Sequence, residues 1–149
     1  MRIAIGNDHR GFALKRKLVP MLQGLGYEVI DEGEQSTESA DYPDSAGRVA
    51  SRVSSGDCEL GILACGSGIG MAITANKFPH VRATIVFDEK MAEMCRRHNN
   101  VNVLCLGEAQ EAGGLAERMV KTWLDTPFDG GRHARRLEKI AAIESGRTC

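Results

Sequence analysis

Along the chain, short apolar runs alternate with stretches in which apolar residues recur at helical spacing. Arg2-Ile3-Ala4-Ile5-Gly6-Asn7 is a β-prone run closed by the polar pair Asp8-His9. From Gly11 onward Phe12, Leu14, Leu18, Leu22 and Leu25 form one inward-facing row, which predicts a strand followed by a helix. Gly24 and Gly26 should end that helix, and Pro20 should kink it or break its second half, because an interior proline costs about 3 kcal/mol. Residues 27–31 read as the next strand and 34–41 as a loop rich in Ser, Glu and Thr. Pro43-Asp44 starts a helix with Ala46, Val49, Ala50 and Val53 inward, closed by Ser54-Ser55-Gly56. Residues 60–64 are a fully buried strand, and a glycine-rich turn leads into a helix over 71–77. A strand follows at 81–87, then a helix capped by Asp88 with Met91 and Cys95 inward and His98 next in that row. The pattern closes with a strand at 101–106, a helix over 111–124 presenting Leu115, Met119, Val120 and Trp123, and a last helix from near Arg132.

Strands that are apolar throughout, each followed by a helix, predict an α/β fold. The sheet is expected to be parallel, five-stranded and Rossmann-like, doubly wound as a three-layer αβα sandwich. A length of 149 residues fits one domain over 1–149 that includes the C-terminal helix. Such sheets bind ligands outside the carboxyl ends of their strands, where Asp8-His9, Cys65-Gly66-Ser67 and Asp88 are expected.

Composition narrows the partners. A formal net charge of -1 supplies no global field for nucleic acid or an acidic membrane, so attraction for a small anion must come from a local cluster. No stretch approaches the ~20 apolar residues of a membrane span and none reads as a signal peptide, which makes the cytoplasm the expected location. The five cysteines are an odd number without a CxxC pair, against a disulfide framework or zinc knuckle. Cys58, Cys95 and Cys105 read as small hydrophobes and Cys149 as a loose end.

Cys65-Gly66-Ser67-Gly68-Ile69-Gly70 is different in kind. Between a strand and a helix, its small residues leave backbone N–H groups free to face an anion. It is neither a Walker loop nor a dinucleotide fingerprint, since it lacks Gly-Lys-Ser/Thr and its glycines are spaced GxGxG. A cysteine at a helix N-terminus meets the positive end of the dipole, which favours a thiolate usable as base or nucleophile; by position it serves equally as a small filler of a tight turn. Ser67 would serve equally as an N-cap, and His98-Asn99 as a helix C-terminus closed by Asn. Asp8-His9 could be an Asx turn with a surface histidine. In Gly130-Gly131-Arg132-His133-Ala134-Arg135-Arg136, Arg132 and Arg136 stand one helical turn apart. That spacing suits one phosphate group, or else a solvated basic helix start. The cluster is small and lacks interleaved aromatics, which argues against nucleic acid.

Taken together, Asn7-Asp8-His9-x-Gly-Phe, Asp41-Tyr42-Pro43, Cys65 to Gly70 followed by Ala75-Asn76-Lys77, Arg97-His98-Asn99, and Gly130-Gly131-Arg132-His133 with Arg136 resemble the type B ribose-5-phosphate isomerases and their galactose-6-phosphate isomerase relatives. The resemblance spans essentially the whole chain. It implies interconversion of ribose 5-phosphate and ribulose 5-phosphate through a cis-enediolate, within the pentose phosphate pathway and without metal or other cofactor. Cys65 would then be the base. Ser67, Asn99 and the backbone N–H groups of Gly66, Gly68, Ile69 and Gly70 would hold the enediolate charge, and His98 would open the furanose ring. Arg132 and Arg136, helped by His9 and His133, would grip the phosphate, while Asp8 and Tyr42 orient hydroxyls. The resemblance also implies a homodimer, or a tetramer built from it, with active sites shared between chains. Other substrates of the same class are galactose 6-phosphate, allose 6-phosphate or a tetrose phosphate; a non-catalytic sugar-phosphate-binding subunit is the reading from another class. Two positions depart from the pattern: Ser67 where many relatives carry Thr, and Ala109 where many carry a phosphate-binding arginine.

Overall fold

The five apolar runs assemble into one sheet in the computed structural model, which describes residues 1–146; Cys149 lies outside the described residues. The strands are β1 (Arg2–Asn7), β2 (Glu28–Asp31), β3 (Leu60–Cys65), β4 (Ala83–Ile85) and β5 (Val103–Gly107), in the order β2-β1-β3-β5-β4. All neighbouring pairs are parallel. The helices are α1 (Phe12–Gly24), α2 (Tyr42–Ser54), α3 (Ile69–Ala75), α4 (Glu89–Asn99), α5 (Leu115–Asp125) and α6 (Arg132–Glu144).

Alternate strand residues point to opposite faces, and each face has its own core. Ile3, Ile5, Ile62, Leu104 and Leu106 pack with Leu14, Leu18 and Leu22 of α1 and Met119, Val120 and Trp123 of α5. Ala4, Leu63, Val103 and Cys105 pack with Ala46, Val49 and Ala50 of α2 and Met71 and Ala75 of α3. Trp123 is fully buried, its indole N–H satisfied by the Val101 carbonyl at 3.0 Å. The doubly wound, three-layer arrangement is the expected one. The strand order reverses between β1 and β3, which opens a crevice at their carboxyl ends.

Several local expectations change. α1 runs unbroken through Pro20; Pro20 and Arg16, whose carbonyl loses its partner, both face solvent, where water can satisfy it. Leu25 falls beyond the helix end and is 46% exposed. On α4 the buried residue is Ala92, while Met91 is 40% exposed, because the helix sets its small face against α5. The helix expected over 111–124 is a 3-10 stretch, Glu108–Gly114, then α5, because Gly113 and Gly114 both take positive φ and break the hydrogen-bond ladder. β4 is shorter than its apolar run, and α3 starts two residues early.

Lys15 is 3% exposed, and its ammonium reaches the Asp31 carboxylate at 3.0 Å and the Glu34 carbonyl at 2.6 Å. This pair ties α1 to the end of β2, where an unpaired buried charge would cost several kcal/mol. No helix among the described residues is long and apolar enough to cross a membrane.

Gly11 fixes how closely the chain leaving β1 approaches β3, since a Cβ there would lie 2.1 Å from the Ala64 carbonyl oxygen. Gly11→Ala should therefore lower stability in urea by about 2 kcal/mol. Gly24→Ala, with nothing within 4 Å of the added carbon, should raise it by about 0.5 kcal/mol; equal effects would contradict this packing.

Candidate active site at the carboxyl edge of the sheet

At the β1–β3 crevice Asp8 is 6% exposed. Its Oδ1 accepts from the N–H groups of Arg10 at 2.9 Å and Gly11 at 3.0 Å. The Asx turn considered from sequence is thus present, and it sets the direction of His9. His9 Nδ1 accepts from the Ala40 N–H at 3.2 Å, tying the 34–41 loop to the crevice. Cys65, 5% exposed, ends β3. Its Sγ accepts from the Gly68 N–H at 3.0 Å. Ser67 Oγ accepts from the Ile69 N–H at 3.3 Å, as an N-cap does. Gly68 has φ of 80°, and a Cβ there would press on the Leu106 backbone at 3.3 Å. Tyr42, from the start of α2, lies over Gly70, where an added Cβ would sit 2.5 Å from its ring. Asp8, His9, Tyr42 and Cys65 through Gly70 therefore share one edge.

His98, Asn99, Arg132, His133 and Arg136 do not. α4 carries the chain back from the carboxyl end of β4, so His98 and Asn99 lie toward the amino ends of the strands. Helix rise and strand rise both place them on the order of 15 Å from Cys65 along the sheet. α6 starts beside them: the Asp129 N–H donates to the Arg97 carbonyl at 3.0 Å, and the His98 and His133 rings stack at 4.2 Å and 7°. Burial, with the charges of His98, Arg132 and Arg136, holds the His133 imidazole below its ordinary value. Arg132 and Arg136 are exposed, one turn apart at the helix start. Asn99 lines a cleft of about 560 Å³ with Arg82, Cys95 and Ile140, and Cys65 does not line it. The ligand atoms of His98, Asp129 and His133 lie within 4.8 Å of one another. Yet Arg97 already engages both Asp129 oxygens at 3.2 Å, and nearly parallel rings do not aim their nitrogens at one point, so the set is poorly arranged to hold a metal ion.

Arg10 and Glu108 also belong to the carboxyl edge, though neither stood out in the sequence. Arg10 Nε donates to Glu108 Oε2 at 2.9 Å, and Nη2 to Oε1 of the same carboxylate. The Glu108 N–H donates to the Gly66 carbonyl at 3.3 Å. The signal was topological: Cys65 registers with Gly107, so the residue after β5 falls beside the Cys65 loop.

A sequence model of the ribose/galactose isomerase family matches residues 3–140. The chain belongs to the ribose/galactose isomerase family. Ribose-5-phosphate isomerase B of Escherichia coli is 44% identical over 146 residues, 98% of each chain. Among solved structures, Clostridium thermocellum ribose-5-phosphate isomerase B superposes with a TM-score of 0.95 at 49% identity, covering 98% of this chain and 99% of that one. The Mycoplasma genitalium enzyme, solved with bound ribulose 5-phosphate, gives a TM-score of 0.92 at 39% identity over 97% of each chain.

Two thiols outside the crevice are held in the protonated form. Burial pushes Cys95 up to about 11, and burial beside Cys65 pushes Cys105 still higher. Iodoacetamide at pH 8 should leave Cys105 unmodified in the native protein, label the half-buried Cys95 slowly, and alkylate both after unfolding, as read by peptide mass spectrometry. Because the unfolded thiols ionise first as pH rises, the folded state holds more protons there and stability should fall above about pH 9; rapid native labelling of Cys105 would contradict its burial.

Proposed function

We propose that this chain is a ribose-5-phosphate isomerase of type B, acting in the cytoplasm within the pentose phosphate pathway. Family membership along the whole chain supports the reaction, and one observation carries the mechanism: Cys65 Sγ sits at the β1–β3 crevice with a backbone N–H donated to it. In this mechanism the Cys65 thiolate takes the proton from C2 of the open-chain aldose. The electron pair moves into the C1–C2 bond, and the cis-enediolate charge is held by Ser67, Asn99 and the N–H groups of the loop. A proton passes from O2 to O1 of the enediolate, the C2–O2 carbonyl forms, and return of the carbon proton to C1 gives the ketose. His98 opens the furanose ring, Asp8 and Tyr42 orient hydroxyls, and Arg132 and Arg136, with His9 and His133, hold the phosphate.

These roles require a second copy, since the two residue sets lie on the order of 15 Å apart within one chain, further than a pentose phosphate spans. A two-fold homodimer that brings the His98 edge of one subunit to the Cys65 edge of the other would build two equivalent sites. Ile69 and Ile73 on α3 and Phe87 before α4 are 52%, 58% and 58% exposed, an apolar surface beside the crevice that such pairing would cover. The free cysteines among the described residues fit a reducing compartment.

Purified protein should convert ribose 5-phosphate without added metal and equally well in EDTA. Across a panel with galactose 6-phosphate, allose 6-phosphate and a tetrose phosphate, kcat/KM should be highest for ribose 5-phosphate. Cys65→Ala should lower kcat by a factor of about 10³ or more with an unchanged circular dichroism spectrum. Full activity in Cys65→Ala would remove it as the base, and binding without solvent exchange at C2 would point to a non-catalytic subunit.

A further inference from the structure

Arg10 stands where a charge can act on Cys65 without being part of the reaction. Its guanidinium lies over the first residue of the loop: a Cβ on Gly66 would be 2.9 Å from Nη1 and 3.0 Å from Cζ and Nε. Three strand ends hold it there. The Arg10 N–H is bound by Asp8 after β1, the side chain is clasped by Glu108 after β5, and the Glu108 N–H is bound by the Gly66 carbonyl after β3. Only the Nε and Nη2 edge is used by Glu108, which leaves Nη1 toward the loop.

We propose that Arg10 is a positioning residue for Cys65: clasped by Glu108 across the loop, its guanidinium fixes Gly66 and favours the Cys65 thiolate, while the Glu108 carboxylate limits that effect. The inference deepens the reading of Cys65 as the base and rests on it for its catalytic consequence. The other groups around the thiol oppose one another. Cys105 acts on it from β5, Asp8 and the thiol both act on Arg10, His9 and Tyr42 stand on the same edge of the sheet, and in the proposed dimer His98 of a second subunit approaches as well. Asp8 already spends an oxygen on two backbone N–H groups, and Cys105 keeps its proton. The Arg10–Glu108 pair is therefore the part of this surround whose balance a single substitution tips in either direction. Its mutual effect is seen in both partners, with Arg10 held above and Glu108 below their ordinary values by the hydrogen bonds between them.

The two halves of the pair should move Cys65 in opposite directions, which a merely structural clasp would not do. The readout is thiolate absorbance at 240 nm against pH, taken as the difference between each protein and its Cys65→Ser counterpart. No substrate is present, so the result is independent of whether Cys65 is the catalytic base. Arg10→Met should raise the midpoint by about half a unit, and Glu108→Gln, which leaves the guanidinium uncompensated, should lower it by a similar amount. Arg10→Lys, which keeps the charge, should stay close to the parent. The pH profile of kcat for ribose 5-phosphate should shift in the same order. Shifts of the same sign in Arg10→Met and Glu108→Gln, no shift in either, or an Arg10→Lys midpoint as displaced as that of Arg10→Met would overturn the proposal. Circular dichroism of each variant separates these outcomes from loss of fold.

Discussion

In an all-parallel sheet every strand ends at the same edge, and every crossover must carry the chain back to the other one. That constraint distributes the chemistry of this protein. Residues that end or follow strands, namely Asp8, His9, Arg10, Cys65 and Glu108, converge on the carboxyl edge. Residues at the end of α4 and the start of α6, namely His98, Asn99, Arg132, His133 and Arg136, converge on the opposite side. Neither group alone makes the isomerase site proposed here. In the proposed mechanism one offers a base and a cradle for developing negative charge, the other a ring-opening imidazole and a pair of phosphate-binding guanidiniums. A protein of this topology can unite them by pairing with a copy of itself, and oligomerisation then belongs to the mechanism as well as to stability.

The carboxyl edge is held together by backbone geometry more than by side-chain bulk. Gly11 lets the chain leaving β1 pass against Ala64, Gly68 takes the positive φ that turns its N–H toward Cys65, and Gly70 makes room for Tyr42. Larger residues at these positions would move the Cys65 thiol, the loop and the Tyr42 ring together. Over this frame lies the Arg10–Glu108 pair, exposed enough that its contribution to stability is small. Its position over Gly66 gives it a role in tuning instead. Ala109, the neighbouring position, carries no charge of its own, so on this side of the crevice the cation comes from β1 rather than from the segment after β5.

Periodicity was enough to read the sheet, its helices and the location of the crevice, because fully buried strands such as residues 60–65 and amphipathic helices such as α2 carry their burial in their composition. It misjudged Pro20, since the cost of an interior proline depends on whether the freed carbonyl meets water, a tertiary fact. It misjudged Met91 because a helix can bury a small residue, here Ala92, and leave a large one at the surface. The loop from Cys65 to Gly70 was legible as an anion cradle. The Arg10–Glu108 clasp joins residues 98 positions apart, and only the register of β3 on β5 brings them together. The separation of His98 from Cys65 likewise follows from topology, and no local pattern announces it.

The central claim is that a complete site is made from the Cys65 edge of one subunit and the Arg132 edge of another. It is tested most directly by co-expressing Cys65→Ala with Arg132→Ala/Arg136→Ala and assaying the mixed protein on ribose 5-phosphate. Each variant alone should be inactive. Random pairing leaves one intact site in every heterodimer, so the mixture should recover about a quarter of parental activity per site. Activity no higher than that of either variant alone, in a preparation shown to contain heterodimers, would contradict a shared site.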